Sequence, residues 1–145
     1  MKILFVCRGN AGRSQMAEAL FRTLNNKHEV QSAGTQVVSK DGESRDGQKL
    51  KDLINPEKII LPLKEKGIDV SEYIRTQLTP DMVNWADKIV VMAEPETIPD
   101  YLSSSNKAEY WDVKDPKGTS IEEHVQTVNQ IEGSVKKFIE ENNLS

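Results

Sequence analysis

The chain has 145 residues, 29% of them charged, with a formal net charge of −4 and a single cysteine. That length makes one ordinary domain with a real core, and the acidic balance argues against a nucleic-acid binder, which would need a basic face. No apolar stretch approaches membrane-spanning length, the N-terminus enters a strand at once without a signal-peptide pattern, and one cysteine cannot make an internal disulfide.

Residues 2–6, with the apolar run Ile3-Leu4-Phe5-Val6, read as a strand. Cys7-Arg8-Gly9-Asn10-Ala11-Gly12 is a turn-rich loop, and residues 14–25 place apolar side chains at helical spacing. Residues 30–33 are a second strand. The segment 40–61 begins polar and charged, then turns apolar at Leu50, Leu53 and Ile54. It reads as a surface insertion, solvated rather than substrate-shaping, because loops tolerate such additions. A helix ends near Lys66, with Pro62 expected to interrupt it.

A short helix at 79–86 precedes strands at 88–92 and 108–112. The last helix, 120–141, keeps Ile121, Val125, Val128, Ile131, Val135, Phe138 and Ile139 on one face. Ser120 and Glu123 offer a capping box at its start. Alternating strands and helices predict an α/β domain over 1–145, a four-stranded parallel sheet covered by helices on both faces. Ligands in such sheets bind beyond the carboxyl ends of strands, where Cys7 lies.

Cys7 to Ser14 concentrates the chemistry. A helix N-terminus leaves N–H groups unpaired and carries partial positive charge, so a short loop curling into it is an anion site. Gly9, Asn10 and Gly12 are expected to adopt the positive φ angles that turn successive N–H groups inward. Arg13 adds a planar fork for two oxygens of a phosphate. The same field favours a thiolate at Cys7, to which Ser14 can donate a hydrogen bond. The competing reading is a small buried structural cysteine among ordinary turn residues. Strand end, glycines, arginine spacing and hydroxyl together favour a nucleophile attacking phosphorus or an arsenic isostere.

Val6 to Ser14 resembles the active-site loop of the low-molecular-weight protein-tyrosine-phosphatase superfamily, which includes thioredoxin-coupled arsenate reductases. The resemblance continues through Ser32-Ala33-Gly34-Thr35, Lys66-Gly67-Ile68-Asp69-Val70-Ser71, Ala86 to Met92 and Asp115-Pro116. It implies a flavodoxin-like sheet order. It also implies Cys7, Arg13 and Asp115 as catalytic residues, with Arg8 through Arg13 binding phosphate and Ser14 stabilising the thiolate. Asp115 becomes the general acid, with Asp112 as its close competitor, and Pro116 restrains its backbone. No metal or organic cofactor is implied. His28 and His124 read as solvated, and the tyrosines and tryptophans as packing.

Tyrosine phosphatases of this superfamily carry an aromatic pair after Asp-Pro, where this chain has Lys117-Gly118. Arg8 stands where an apolar residue is common, and the segments 13–18 and 111–116 look more like arsenate reductases. Reductases of the thioredoxin-coupled kind need further cysteines to resolve the thiol–arsenic adduct. With only Cys7, the expected activity is a cysteine-dependent phosphomonoesterase acting on a phosphorylated protein or small ester in a reducing, cytoplasmic setting. The alternative is an arsenate reductase resolved by an external thiol or redoxin. A non-catalytic phosphate-binding module is the third reading. Neither nucleic acid nor membrane is expected as a partner.

Overall fold

The computed structural model describes residues 1–145. Its strands are β1 (Lys2–Cys7), β2 (Glu29–Gly34), β3 (Lys88–Val91) and β4 (Ala108–Tyr110). The helices are α1 (Arg13–Leu24), α2 (Glu57–Lys64), α3 (Pro80–Trp85), α4 (Asp100–Ser103) and α5 (Ile121–Glu141). All strand pairings are parallel, in the order β2-β1-β3-β4.

The central strand β1 is apolar and buried from Ile3 to Cys7 because both of its faces are covered. Ile3, Phe5 and Cys7 join a core with residues of α1, α2 and α5. Leu4 and Val6 point the other way, into a smaller core with Val83 of α3 and Leu102 of α4. Phe5 anchors the larger core, its ring centroid 6.1 Å from Phe21, 5.9 Å from Trp111 and 6.3 Å from Phe138. These separations suit tilted aromatic contacts. β4 is a short exposed edge, which limits unwanted strand pairing. No helix is long and apolar enough to cross a membrane.

Helix starts follow local chemistry. Thr79 accepts a hydrogen bond from Met82 N, and Ser120 from Glu123 N. The start of α1 differs: Gly12 precedes it and no side chain caps it.

Several sequence expectations are corrected. Pro62 lies inside α2 rather than breaking it. Pro62 is past the first turn, and in so short a helix it forfeits a single bond, to Lys58 O. His124 is buried, not solvated, with Nδ1 against Ser120 O at 2.8 Å. Residues 40–61 are solvated only in part. Leu50 is fully buried, and Lys49 and Ile74 form an antiparallel bridge. Main-chain bonds from Leu50 N to Tyr73 O and from Arg75 N to Gln48 O continue this strip.

Candidate active site

The strand order reverses between β1 and β3, so the loops leaving their carboxyl ends diverge around a crevice. One loop carries Cys7 to Gly12 and the other Met92 to Glu94. Cys7 is almost fully buried at the end of β1. No main-chain or side-chain oxygen of the protein accepts the N–H of Arg8, Gly9, Asn10, Ala11 or Gly12. Five successive free donors running into an uncapped helix start make a fixed positive field.

The turn is made by Asn10 alone, at φ 51°; Gly9 and Gly12 stay outside the left-handed region, contrary to expectation. Asparagine tolerates that conformation when its side chain bonds locally. Here Asn10 Nδ2 donates to Ser14 Oγ (2.7 Å) and Ser32 Oγ (3.0 Å). Its Oδ1 accepts from Thr76 N (2.8 Å) and Gln15 Nε2 (3.1 Å). Gly34 lies against the loop so closely that a Cβ would stand 2.7 Å from Arg8 O and 2.8 Å from Asn10 N. Only glycine fits there.

Ser14 Oγ lies 3.0 Å from Cys7 Sγ. Because Thr76 N–H fixes the Asn10 amide with its NH2 toward Ser14, Ser14 accepts from Asn10 and its own proton is free to point at sulfur. A thiolate, which only accepts, fits that arrangement.

Arg13 is buried, with one edge tied down: Nη1 donates to Met92 O and to Val113 O (3.0 Å). Nη2 donates to Glu94 Oε1 at 2.8 Å and lies 3.8 Å from Asp115 Oδ2. Burial opposes its charge, but the Glu94 hydrogen bond and the negative charges of Cys7, Asp115 and Glu94 outweigh it and raise its pKa. Nε has no protein acceptor, so the fork keeps a donor for a ligand.

Asp115 is half-exposed, and its Oδ1 accepts from Lys117 N at 3.0 Å. Thr119 N, bonded to Pro116 O at 3.0 Å, closes the loop. Asp112 is exposed and its carboxylate bonds to nothing, whereas that of Asp115 lies beside Arg13. Arg8 is exposed at the rim, and Ala11 is partly exposed beside it. Two cavities lie beside the loop, and neither is lined by Cys7 or Arg13. One of about 640 Å³ is lined by Gln15, Glu18 and Tyr73 among others. Another of about 320 Å³ includes Asp115 but neither Cys7 nor Arg13.

Sequence reasoning missed Glu94 and Gln15, and Arg75, whose Nε donates to Gly9 O at 3.0 Å. Glu94 follows β3 at the crevice, a position the strand-end rule could have flagged; the other two carried no signal.

Residues 2–144 match the family model described as low molecular weight phosphotyrosine protein phosphatase. The chain belongs to this family. An arsenate reductase from Brevibacillus brevis is 31% identical to it, over 95% of this chain and 93% of that protein. The low molecular weight protein tyrosine phosphatase from T. tengcongensis superposes with a TM-score of 0.79 at 27% identity, covering 97% of this chain and 99% of that one. The YwlE arginine phosphatase from Geobacillus stearothermophilus gives 0.75 at 26% identity, covering 99% and 93%. Members of the low-molecular-weight phosphatase family are thus enzymes named either as phosphatases or as arsenate reductases.

Proposed function

We propose that this protein is a cysteine-dependent phosphomonoesterase. The observation that carries the reading is a single thiol, Cys7, beside a complete oxyanion cradle in a chain with no second cysteine. Cys7 Sγ attacks phosphorus while the loop N–H groups of Arg8 to Gly12 and Arg13 hold the other oxygens. The bond from phosphorus to the leaving oxygen breaks, and Asp115, protonated, gives that oxygen its proton. Water then attacks the cysteinyl phosphate. Asp115, now ionised, accepts the water's proton, the S–P bond breaks, and inorganic phosphate and the Cys7 thiolate are released. The free thiol suits a reducing compartment such as the cytoplasm. Phosphorylated proteins and small phosphate esters both present the tetrahedral oxyanion that the loop amides and Arg13 would hold.

A second reading is favoured by the arsenate reductase from Brevibacillus brevis, 31% identical along nearly the whole chain. In that reading arsenate esterifies Cys7, and an external thiol or redoxin supplies the sulfurs that this chain lacks. Two assays on the same preparation separate the readings. Hydrolysis of an aryl phosphate needs no added thiol, and multiple turnovers without one support the phosphatase. Arsenate reduction on addition of a small thiol, with no ester hydrolysis, supports the reductase.

A further inference from the structure

A second guanidinium abuts the loop. Arg75 is only 8% exposed, yet it forms no ion pair with any carboxylate. Nε donates to Gly9 O at 3.0 Å and Nη1 to Gln48 Oε1 at 2.8 Å, both neutral acceptors. Nη2 donates to nothing in the protein, and a Cβ built on Gly9 would stand 3.4 Å from it.

Buried cations are ordinarily paired, because desolvation penalises an isolated charge. Arg13 obeys the rule through Glu94 at 2.8 Å, with Asp115 at 3.8 Å. Arg75 does not. Burial lowers its pKa, and Arg45 adds repulsion; the negative charge acting in its favour is Cys7. The strip at 47–50 holds this cation in place, since Gly47 N donates to Arg75 O and Arg75 N to Gln48 O, both at 2.8 Å. Positioning Arg75 gives that part of the surface segment a role in the site.

We infer that Arg75 is a positioning residue for oxyanion binding, supplying behind the Gly9 peptide a buried positive charge that no carboxylate compensates, with the bound oxyanion as its counter-ion. The inference rests on the reading of residues 7–14 as an oxyanion site. Arg75 is not a catalytic residue. Its bond to the Gly9 carbonyl holds that oxygen as an acceptor for the guanidinium, and its charge adds to the field of the loop amides.

The test is the affinity for inorganic phosphate, measured calorimetrically on the full chain with melting temperatures recorded alongside. R75Q can still donate to Gly9 O but carries no charge, and is expected to bind phosphate roughly tenfold or more weakly, as loss of a charge-assisted interaction predicts. R75K keeps the charge and is expected within about threefold of wild type. If R75Q does not fold, R75M replaces it with the same expectation. Wild-type affinity in the uncharged variant, or R75K binding as weakly as R75Q, would overturn the inference. Phosphate binding is read without turnover, so a wild-type protein that hydrolyses no ester defeats the phosphatase reading while leaving this test intact.

Discussion

Replacing Glu94 with alanine removes the one carboxylate in direct hydrogen-bond contact with Arg13, 2.8 Å from Nη2. At that distance and an effective dielectric near 20, the gross attraction is about 6 kcal/mol. Desolvation of a buried guanidinium and a partly buried carboxylate consumes most of it, and hydrogen bonds to charged groups net about 1.5–3 kcal/mol. A loss of about 2 kcal/mol lowers the melting temperature by roughly 6–8 °C in a domain of this size. The effect carries a pH signature. Burial pushes the Glu94 carboxyl up, but the hydrogen bond and charge of Arg13 outweigh it and hold the carboxyl below the usual range. The pair's stabilisation is therefore fully present above the ordinary glutamate value of about 4.3 and is lost as pH falls through the lower folded-state value. Urea midpoints of wild type and E94A, taken from neutral to acid pH, should differ most at neutral pH and converge on acidification. Equal midpoints at neutral pH, or a gap that persists undiminished in acid, would refute the assigned pairing.

Asp115→Asn should lower kcat by about 10²–10³ for esters with poor leaving groups, and less for nitrophenyl phosphate, whose leaving group needs little protonation; steady-state rates on the two substrates check this. Ser14→Ala removes the hydroxyl 3.0 Å from Cys7 Sγ, and alkylation of Cys7 by iodoacetate at fixed pH should slow roughly tenfold. Gly34→Ala puts a methyl group 2.7 Å from Arg8 O and from a Val37 methyl. It should cost about 1–3 kcal/mol in denaturant unfolding and weaken phosphate binding, since the loop must shift.

The architecture was legible because α5 carries a strong helical period and the unbroken apolar run of β1 demands two covered faces. Cys7, Arg13 and Ser14 could be read as one cluster because they are seven positions apart at most. The rest depends on long-range contacts. Glu94 reaches Arg13 across 81 positions and Arg75 reaches Gly9 across 66, and no local pattern encodes either. The glycines misled in an informative way. Positive φ was expected at Gly9, Asn10 and Gly12, but Asn10 alone supplies the turn because its amide finds four partners from three other segments. His124 misled through its acidic neighbours Glu122 and Glu123, which face water while the imidazole folds back on the Ser120 carbonyl.

The central claim is that Cys7 carries the phosphoryl group between two half-reactions. Mass spectrometry of protein rapidly quenched during turnover of an aryl phosphate tests it directly, with Cys7→Ser assayed in parallel. The account predicts a phosphoryl adduct on the Cys7 peptide and no turnover by the variant. Turnover without an adduct on Cys7, or a variant that still turns over, would contradict it.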